Sequence, residues 1–478
     1  MKKYLAIAGA GLMMIGTAGL AAAATVDVGG EVRIKYENRE SATFNNDNSD
    51  TLHGTHQRTR ITVNAKVNDE ISGKVSLQNI HIWGATGSTT STAENTSGTT
   101  TGLNNTDVFE SYIQINKVFG TPISARLGRQ VLSYGDQRLV GGLDWADTGR
   151  RFDAVKFMYS SGDIALDVWG AKVDENSWTT NTIEGNDNDQ DFFGAWLTYK
   201  GLKDNVIDVY ALWLRDGGSN VASDSSANNG NDTGTALISG ISYGDADGDG
   251  TVAGANKEGS VNIYTLGARI KGAVGGLDYT AELNYQTGNT FQDADVDAMA
   301  YAINVGYTLP VDMSPRLYVE YVHADGDDSS TDSDTETFNQ LFPTGHAQLG
   351  YMDLVGFQNV EAWRFGASIK PTKALYIQAD YWNFKLNEEK DYWYNAGGAR
   401  TLGTVTTAQY ANNSEDDLGS ELDISVKYKY ADNLSLEGGY SIFFPGDLGD
   451  TDLTGGGVRI YADDDDQTWA YAQIKLTF

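Results

Sequence analysis

The stretch QTWAYAQIKLTF, residues 467–478, decides the fold. Ala470, Ala472, Ile474, Leu476 and Phe478 take alternate positions, and Trp469, Tyr471, Gln473, Lys475 and Thr477 fill the places between them. A period of two belongs to an extended strand with two unlike faces. The same pattern stands near the start, where Val26, Val28, Gly30, Val32, Ile34 and Tyr36 oppose Glu31, Arg33, Lys35 and Glu37. It recurs with Ile61, Val63, Ala65 and Val67 against Arg58, Arg60, Thr62, Asn64 and Lys66. Leu418, Leu422, Ile424, Val426 and Tyr428 likewise oppose Glu421, Asp423, Lys427 and Lys429.

Eighteen such segments run from 26–38 to 467–478. Their connections alternate between short ones, such as 68–70, 161–162 and 432–433, and mostly long, polar ones, up to 216–258. An even number of antiparallel strands closes into a cylinder without the free edges that lipid cannot satisfy. The expected fold is therefore all-β: a transmembrane antiparallel β-barrel of 18 strands, with short periplasmic turns and long extracellular loops. No blade-sized repeat supports a propeller. Phe478, on the apolar face, looks like the outer-membrane targeting signal of barrel proteins.

Composition agrees. The 478 residues include 55 Gly, 26 Tyr and 10 Trp but only 6 Pro, and 40% are hydrophobic. That balance suits a wall in which one face of each strand meets lipid. Lys2, Lys3, the apolar run Leu5 to Leu20 and the small residues Ala21 to Ala24 read as a secretory signal. Residues 1–24 are thus expected to be removed, leaving 25–478 as a single barrel domain in the bacterial outer membrane, in contact with its lipid and lipopolysaccharide. No later run is long and apolar enough for a transmembrane helix. The chain has no cysteine, which excludes disulfides, Cys-bound zinc and iron–sulfur clusters. Its formal charge of -31, or -33 once Lys2 and Lys3 are gone, argues against nucleic acid as a partner.

The acidity is local. The connections 216–258, 325–358, 387–417 and 446–466 together carry 27 acidic and 4 basic side chains. The strands are close to balanced. Arg58, Arg60, Arg126, Arg269, Arg364, Lys427 and Lys429 fall on polar strand faces, as do Arg33 and Lys35. Lysine or arginine at the bilayer midplane costs about 2–4 kcal/mol, so these faces are expected to line the lumen. A ring of guanidinium groups binds anions unless wall carboxylates neutralise it. A mixture of paired and available cations is expected.

Asp245, Asp247 and Asp249, followed by Gly250 and Thr251, match the first half of a calcium loop. The twelfth position is Asn256 instead of glutamate, so calcium and a solvated acidic tip are evenly matched. No other cofactor is required. The five histidines fall in no triad or metal-ligand spacing, and an enzyme is not expected.

Three segments together resemble the outer-membrane alginate export family: GRQVLSYGDQRLVGGLDWADTGRRFDAVKF at 128–157, FNQLFPTGHAQLGYMDLVGFQNV at 338–360 and DDLGSELDISVKYKYADNLSLEGGYSIFFPGD at 416–447. The resemblance implies an eighteen-stranded barrel whose arginine-rich constriction conducts a negatively charged polyuronate with a periplasmic secretion partner. It marks Arg129 and Arg150 as constriction residues, and His346, Tyr351, Asp353 and Asn359 as a long-loop motif. Arg126 and Arg129 lie three positions apart, so a regular strand sends them to opposite faces. Either Gly128 marks a bulge or Arg129 lies above the lipid. Adjacent Arg150 and Arg151 pose the same choice.

The expectation is an outer-membrane channel that passes anionic solutes through a basic lumen, with export of an acidic polysaccharide such as alginate as its specific form. The alternatives are a general porin of low selectivity and a calcium-binding surface protein that bridges to lipopolysaccharide or a partner.

Overall fold

The computed structural model describes residues 24–41, 51–84, 106–175, 189–217, 260–290, 294–329, 334–399, 413–450 and 465–478. Residues 1–23 of the signal segment 1–24 and the calcium candidates Asp245, Asp247, Asp249 and Thr251 lie outside the described residues.

Nineteen strands form one sheet. In chain order they are β1 Thr25–Glu40, β2 Leu52–Lys66, β3 Ile71–Ile82, β4 Thr106–Ile115, β5 Ile123–Gln130, β6 Phe152–Ser161, β7 Ile164–Asp174, β8 Gln190–Tyr199, β9 Asn205–Asp216 and β10 Val261–Val274. There follow β11 Leu277–Asn289, β12 Asp295–Thr308, β13 Arg316–Ala324, β14 Asp334–Thr335, β15 Val360–Ile369, β16 Leu375–Lys385, β17 Asp417–Ala431, β18 Leu434–Pro445 and β19 Gln467–Thr477. Eighteen make the wall, each antiparallel to its neighbours. The two-residue β14 instead lies parallel to the start of β12. Closure is the antiparallel pairing of β1 with β19, from Glu31↔Thr477 to Glu40↔Thr468. Every wall strand thereby has a hydrogen-bonded partner on both sides, as hydrocarbon demands.

Burial is inverted relative to a soluble protein. Val26, Ile113, Leu266 and Phe365 expose more than half of their surface and point to lipid. Arg33, Lys35, Arg58, Glu421 and Asp423 on the other faces are buried. Leu418 departs from its expected place on the outer face and is buried. The register slips by one between Phe384 and Lys385 opposite β17, and Gly419 takes φ +119, so the alternation changes phase there.

The lumen-facing side is not polar all the way round. On β6 to β13 the inward residues nearest the long connections are apolar: Phe152, Phe192, Leu212, Leu214, Val261, Ile263, Val296 and Ala298. They form one cluster with Leu132, Leu139 and Val140 of the β5–β6 connection and with Phe338, Phe342, Leu349, Met352 and Phe357 of the β13–β15 connection. These two connections fold into the cylinder and meet at a parallel bridge, Val140↔Phe342. The core of this protein therefore sits inside its wall.

Candidate functional site

The segment from Val131 to Arg151 is a strap that reaches opposite sides of the wall. On one side Asp147 accepts from Arg33 Nη2 at 2.7 Å and lies 2.6 Å from His56 Nδ1. Asp144 accepts from Arg58 Nη2 at 2.7 Å and Arg60 Nη1 at 3.1 Å, and its carbonyl accepts from Arg33 and Arg58. These four wall residues belong to β1 and β2. On the far side Asp136 receives Arg269 Nη2 of β10 at 2.6 Å, with Lys271 at 3.1 Å. Arg138 pairs with Glu320 of β13 and approaches Glu282 of β11. The strap thus offers carboxylates where the wall is basic and a guanidinium where it is acidic.

This complementarity fixes the ionisation of the strap. Burial pushes the Asp144 carboxyl up, but Arg58, Lys475, Arg60 and Arg33 outweigh it and hold the group at about 2. Asp147 is pushed up by burial and held well below the usual range by His56, Lys35 and Arg33. Asp136 is raised by burial and lowered further by Arg269 and Lys271. A carboxyl lower in the folded than in the unfolded state stabilises fully above its unfolded value, about 3.9, and loses that contribution as pH falls through the folded value. The strap should therefore stay latched from neutral pH down to about 4 and loosen below it. Single-channel conductance recorded at stepped pH checks this: it should be flat in the upper range and rise only at the acidic end. A step near neutral pH would mean that other groups hold the strap.

The predicted lumen cations go to several places. Arg58 is fully buried, and its Nε also donates to Glu31 at 2.9 Å. Arg60 donates to Gln78 at 2.6 Å, and its guanidinium lies 3.7 Å from the centre of the Phe109 ring. Arg269 reaches Asp208 at 2.8 Å as well as Asp136. Arg364 forks onto Asp380, both bonds at 2.8 Å, and meets Glu320 at 3.2 Å. Lys427 pairs with Glu437 at 3.1 Å, and Lys429 with Asp432 at the short turn between β17 and β18. Among the described residues Arg126 bonds only neutral groups, Gln114 at 2.8 and 3.0 Å and the Tyr112 ring.

Arg129 is on the other side of the wall. The register of β5 is continuous past Gly128, whose φ is +125, and aligns Arg126 with inward Lys156 and Arg129 with outward Asp153. Arg129 grips Asp153 with two bonds of 2.9 and 2.8 Å. Of the adjacent pair, Arg150 turns inward to the Pro343 carbonyl at 2.7 Å, and Arg151 turns to Asp107. Burial pushes the Arg150 guanidinium down to about 10.

The long-loop motif divides in two. His346, in the short 3-10 turn Gly345–Ala347, lies 3.1 Å from Asp353 and stacks on Trp145 of the strap at 4.0 Å and on Tyr351 at 5.2 Å. Asn359 stands apart. Its side chain donates to the Glu388 and Tyr392 carbonyls and accepts from the Glu388 amide, binding a neighbouring connection. Asp353 (φ +60) and Asn359 (φ +43) both have left-handed backbone, which Asp and Asn tolerate better than most residues. The motif therefore has a conformational reason in addition to its contacts. Elsewhere Asp327, Asp328 and Glu336 bring carboxylate oxygens within 4.8 Å of one another, close enough for a divalent ion to be shared.

Sequence reasoning missed the strap carboxylates Asp136, Asp144 and Asp147 and the apolar inner lining. A signal for the lining was present. Phe192–Phe193 and Leu212–Trp213–Leu214 are apolar on both faces, as strands covered on both sides are.

The sequence model of alginate export proteins matches residues 24–452, nearly the whole barrel. The chain belongs to the alginate export family. No curated protein matches it. Solved structures with the same fold include Pseudomonas aeruginosa OccD3, at 10% identity and TM-score 0.54 over 96% of this chain and 93% of that one. OpdQ of the same organism gives 11% identity and TM-score 0.54 over 95% and 98%. OccK5 gives 10% identity and TM-score 0.54 over the same shares. At these identities the likeness shows the fold. This alginate export family member is an eighteen-strand outer-membrane β-barrel and a transport protein.

Proposed function

We propose that the protein is a diffusion channel for small hydrophilic solutes with weak charge selectivity. The observation that carries this reading is the strap tied to opposite walls by compensating ion pairs. It obstructs a wide passage of the kind a polysaccharide needs, and it neutralises the arginines that would make the lumen basic. What charge asymmetry there is runs across the lumen. Arg33, Lys35, Arg58, Arg60, Arg126, Lys156 and Lys475 face inward from β1, β2, β5, β6 and β19. Asp208, Glu282, Glu320, Asp380, Glu421 and Asp423 face inward from β9, β11, β13, β16 and β17. A field across a pore orients dipolar solutes and does little to exclude either sign of ion.

In planar bilayers with a salt gradient, the expected anion-to-cation permeability ratio lies within roughly threefold of unity. Liposome swelling should be similar for small neutral sugars and small uronates, and negligible for uronate oligomers. A strong anion preference or rapid uptake of the oligomers would overturn this reading. The narrower reading, passage of anionic solutes up to alginate with a periplasmic secretion partner, is favoured by one observation besides the family. Arg126 and Arg150 have no carboxylate partner among the described residues. A calcium role would fall to the Asp327, Asp328 and Glu336 group or to Asp245–Thr251.

A further inference from the structure

Where the chain passes from wall to strap, the wall loses its ladder. Among the described residues the pairing of β4 with β5 is the shortest between any two wall strands, running only from Ile115↔Ala125 to Ser111↔Arg129. β5 ends at Gln130 and turns inward as the strap, while β4 extends back to Thr106 and β6 begins at Phe152. Between Thr106 and Glu110, therefore, β4 pairs with β3 on one side and with no described strand on the other. The cause is local. The register of β4 against β3 slips between Ser76 and Leu77 and leaves out Phe109, and a bulge of this kind ends regular pairing.

Side chains satisfy the open edge. The Val108 N–H donates to Asp107 Oδ1 at 2.7 Å, and the Val108 carbonyl accepts from Arg129 Nη1 at 3.5 Å. Both main-chain groups of one strand residue point to the same side, so two side chains stand here where a neighbouring backbone would. Asp107 also pairs with Arg151, just ahead of β6, and lies 3.9 Å from Arg129. All three charged side chains are partly exposed. Ion pairs of that kind hold far less firmly than a main-chain ladder.

Immediately inside this seam the surroundings are apolar. Phe109, Leu132 and Phe152 are buried, and the last two belong to the cluster that fills the lumen beside the long connections. Phe109 packs against the strap at Gly149, where a Cβ would come within 2.9 Å of its ring. Gln130, at the foot of the seam, is fully buried. Its Nε2 donates to the Gly128 and Ala154 carbonyls at 3.1 and 3.0 Å, while its Oε1 has no hydrogen-bond partner among the described residues. Leaving a buried acceptor unmatched is costly. Neither the apolar lining nor the spare acceptor has a part in the passage of hydrophilic solutes along the axis.

We propose that the seam is a lateral gate, through which a compact apolar molecule carrying one hydrogen-bond donor passes between the lumen and the membrane, with Gln130 Oε1 accepting from its donor on the way. Parting Asp107 from Arg129 and Arg151 opens the seam without breaking a ladder bond. Hydrophilic solutes stay in the axial passage, because the side route runs between Phe109, Leu132 and Phe152. The gate does not depend on the charge selectivity of the channel.

The test uses the absence of cysteine from the chain. In the double variant Asp107→Cys/Arg151→Cys, a short bis-methanethiosulfonate bridges the seam and a reductant releases it. Cells carrying the full barrel are offered N-phenyl-1-naphthylamine, an apolar probe with one N–H that fluoresces on entering the membrane, and arabinose as the axial probe. Bridging should slow entry of the naphthylamine by about tenfold, with reduction restoring it and arabinose uptake unchanged. Heat-modified gel mobility equal to wild type would show that the variant folds. Naphthylamine entry unchanged by the bridge, or both probes slowed alike, would overturn the gate. Gln130→Met keeps the length of the side chain and removes the acceptor. Wild type should favour the naphthylamine over its N-methyl analogue by about fivefold, and Gln130→Met should bring the two to parity. A preference that survives in the folded variant would overturn the part given to Gln130.

Discussion

Replacing Asp147 by Ala should free the strap from the β1–β2 wall and raise single-channel conductance, with the selectivity moving toward anions. Asp147 is 6% exposed and faces Arg33, itself 2% exposed, at 2.7 Å. Removing one member of a buried ion pair costs about 3–5 kcal/mol, because the surviving charge is left desolvated. The lower end applies here, since Arg33 keeps the Asp144 carbonyl at 2.7 Å. A loss of about 3 kcal/mol in docking is a change of roughly a hundredfold in the population of the undocked strap. The effect on selectivity has the same origin, since Arg33 would then face the lumen without its paired carboxylate. Asp147→Asn keeps the shape of the side chain and should give the same shift in selectivity with a smaller rise in conductance. A variant that conducts and selects like the wild type would show that the strap is held by its apolar contacts alone.

The second large effect is expected from Phe342→Ala. Phe342 is 1% exposed and packs edge-on against Phe192 at 4.7 Å and Phe152 at 5.2 Å. Its amide donates to the Leu139 carbonyl at 2.9 Å, and its carbonyl accepts from Gly141 at 2.8 Å. The ring thus joins the strap, the β13–β15 connection and the inner wall. Cutting a buried phenylalanine back to alanine costs about 3–5 kcal/mol through lost burial and the cavity left behind. The wall does not depend on this side chain, so the loss falls on the inner layer. Hydrogen exchange at the Gly141 and Phe342 amides should accelerate by about a hundredfold or more, while exchange in β1, β2 and β19 stays unchanged. Uniform acceleration would show that wall and inner layer unfold together.

The wall was legible because lipid imposes a strict rule. Val26 to Tyr36 and Ala470 to Phe478 repeat with period two, and each such run became a strand. Leu418 broke the pattern because a slip of one residue opposite Lys385 reverses every side chain beyond it, and no local sequence signal announces the slip. The strap was harder. Its residues Leu139 to Thr148, LVGGLDWADT, have no period, and the partners of Asp136 and Asp147 lie 133 and 114 residues away in the chain. Charge alone suggested that Arg58 and Arg269 face the lumen, but not that a distant loop would neutralise them. Arg129 showed the limit of motif matching. Its place in GRQ marked it as a constriction residue, whereas its spacing from Arg126 required the opposite face. The spacing is the physical constraint, and the register follows it.

The meeting of the two inner connections bears on how the molecule is made. Wall strands pair with their neighbours in sequence, so hairpins can zip up one after another with little chain to close. The inner layer instead joins segments as distant as Gln137 and Thr344, 207 residues apart. In a free chain such a contact carries a heavy loop-closure cost. Once the cylinder is sealed, both segments are tethered at its rim and search only the volume inside it. The wall is thus a confining vessel in which the contacts of its own interior cost less chain entropy than they would in a free chain.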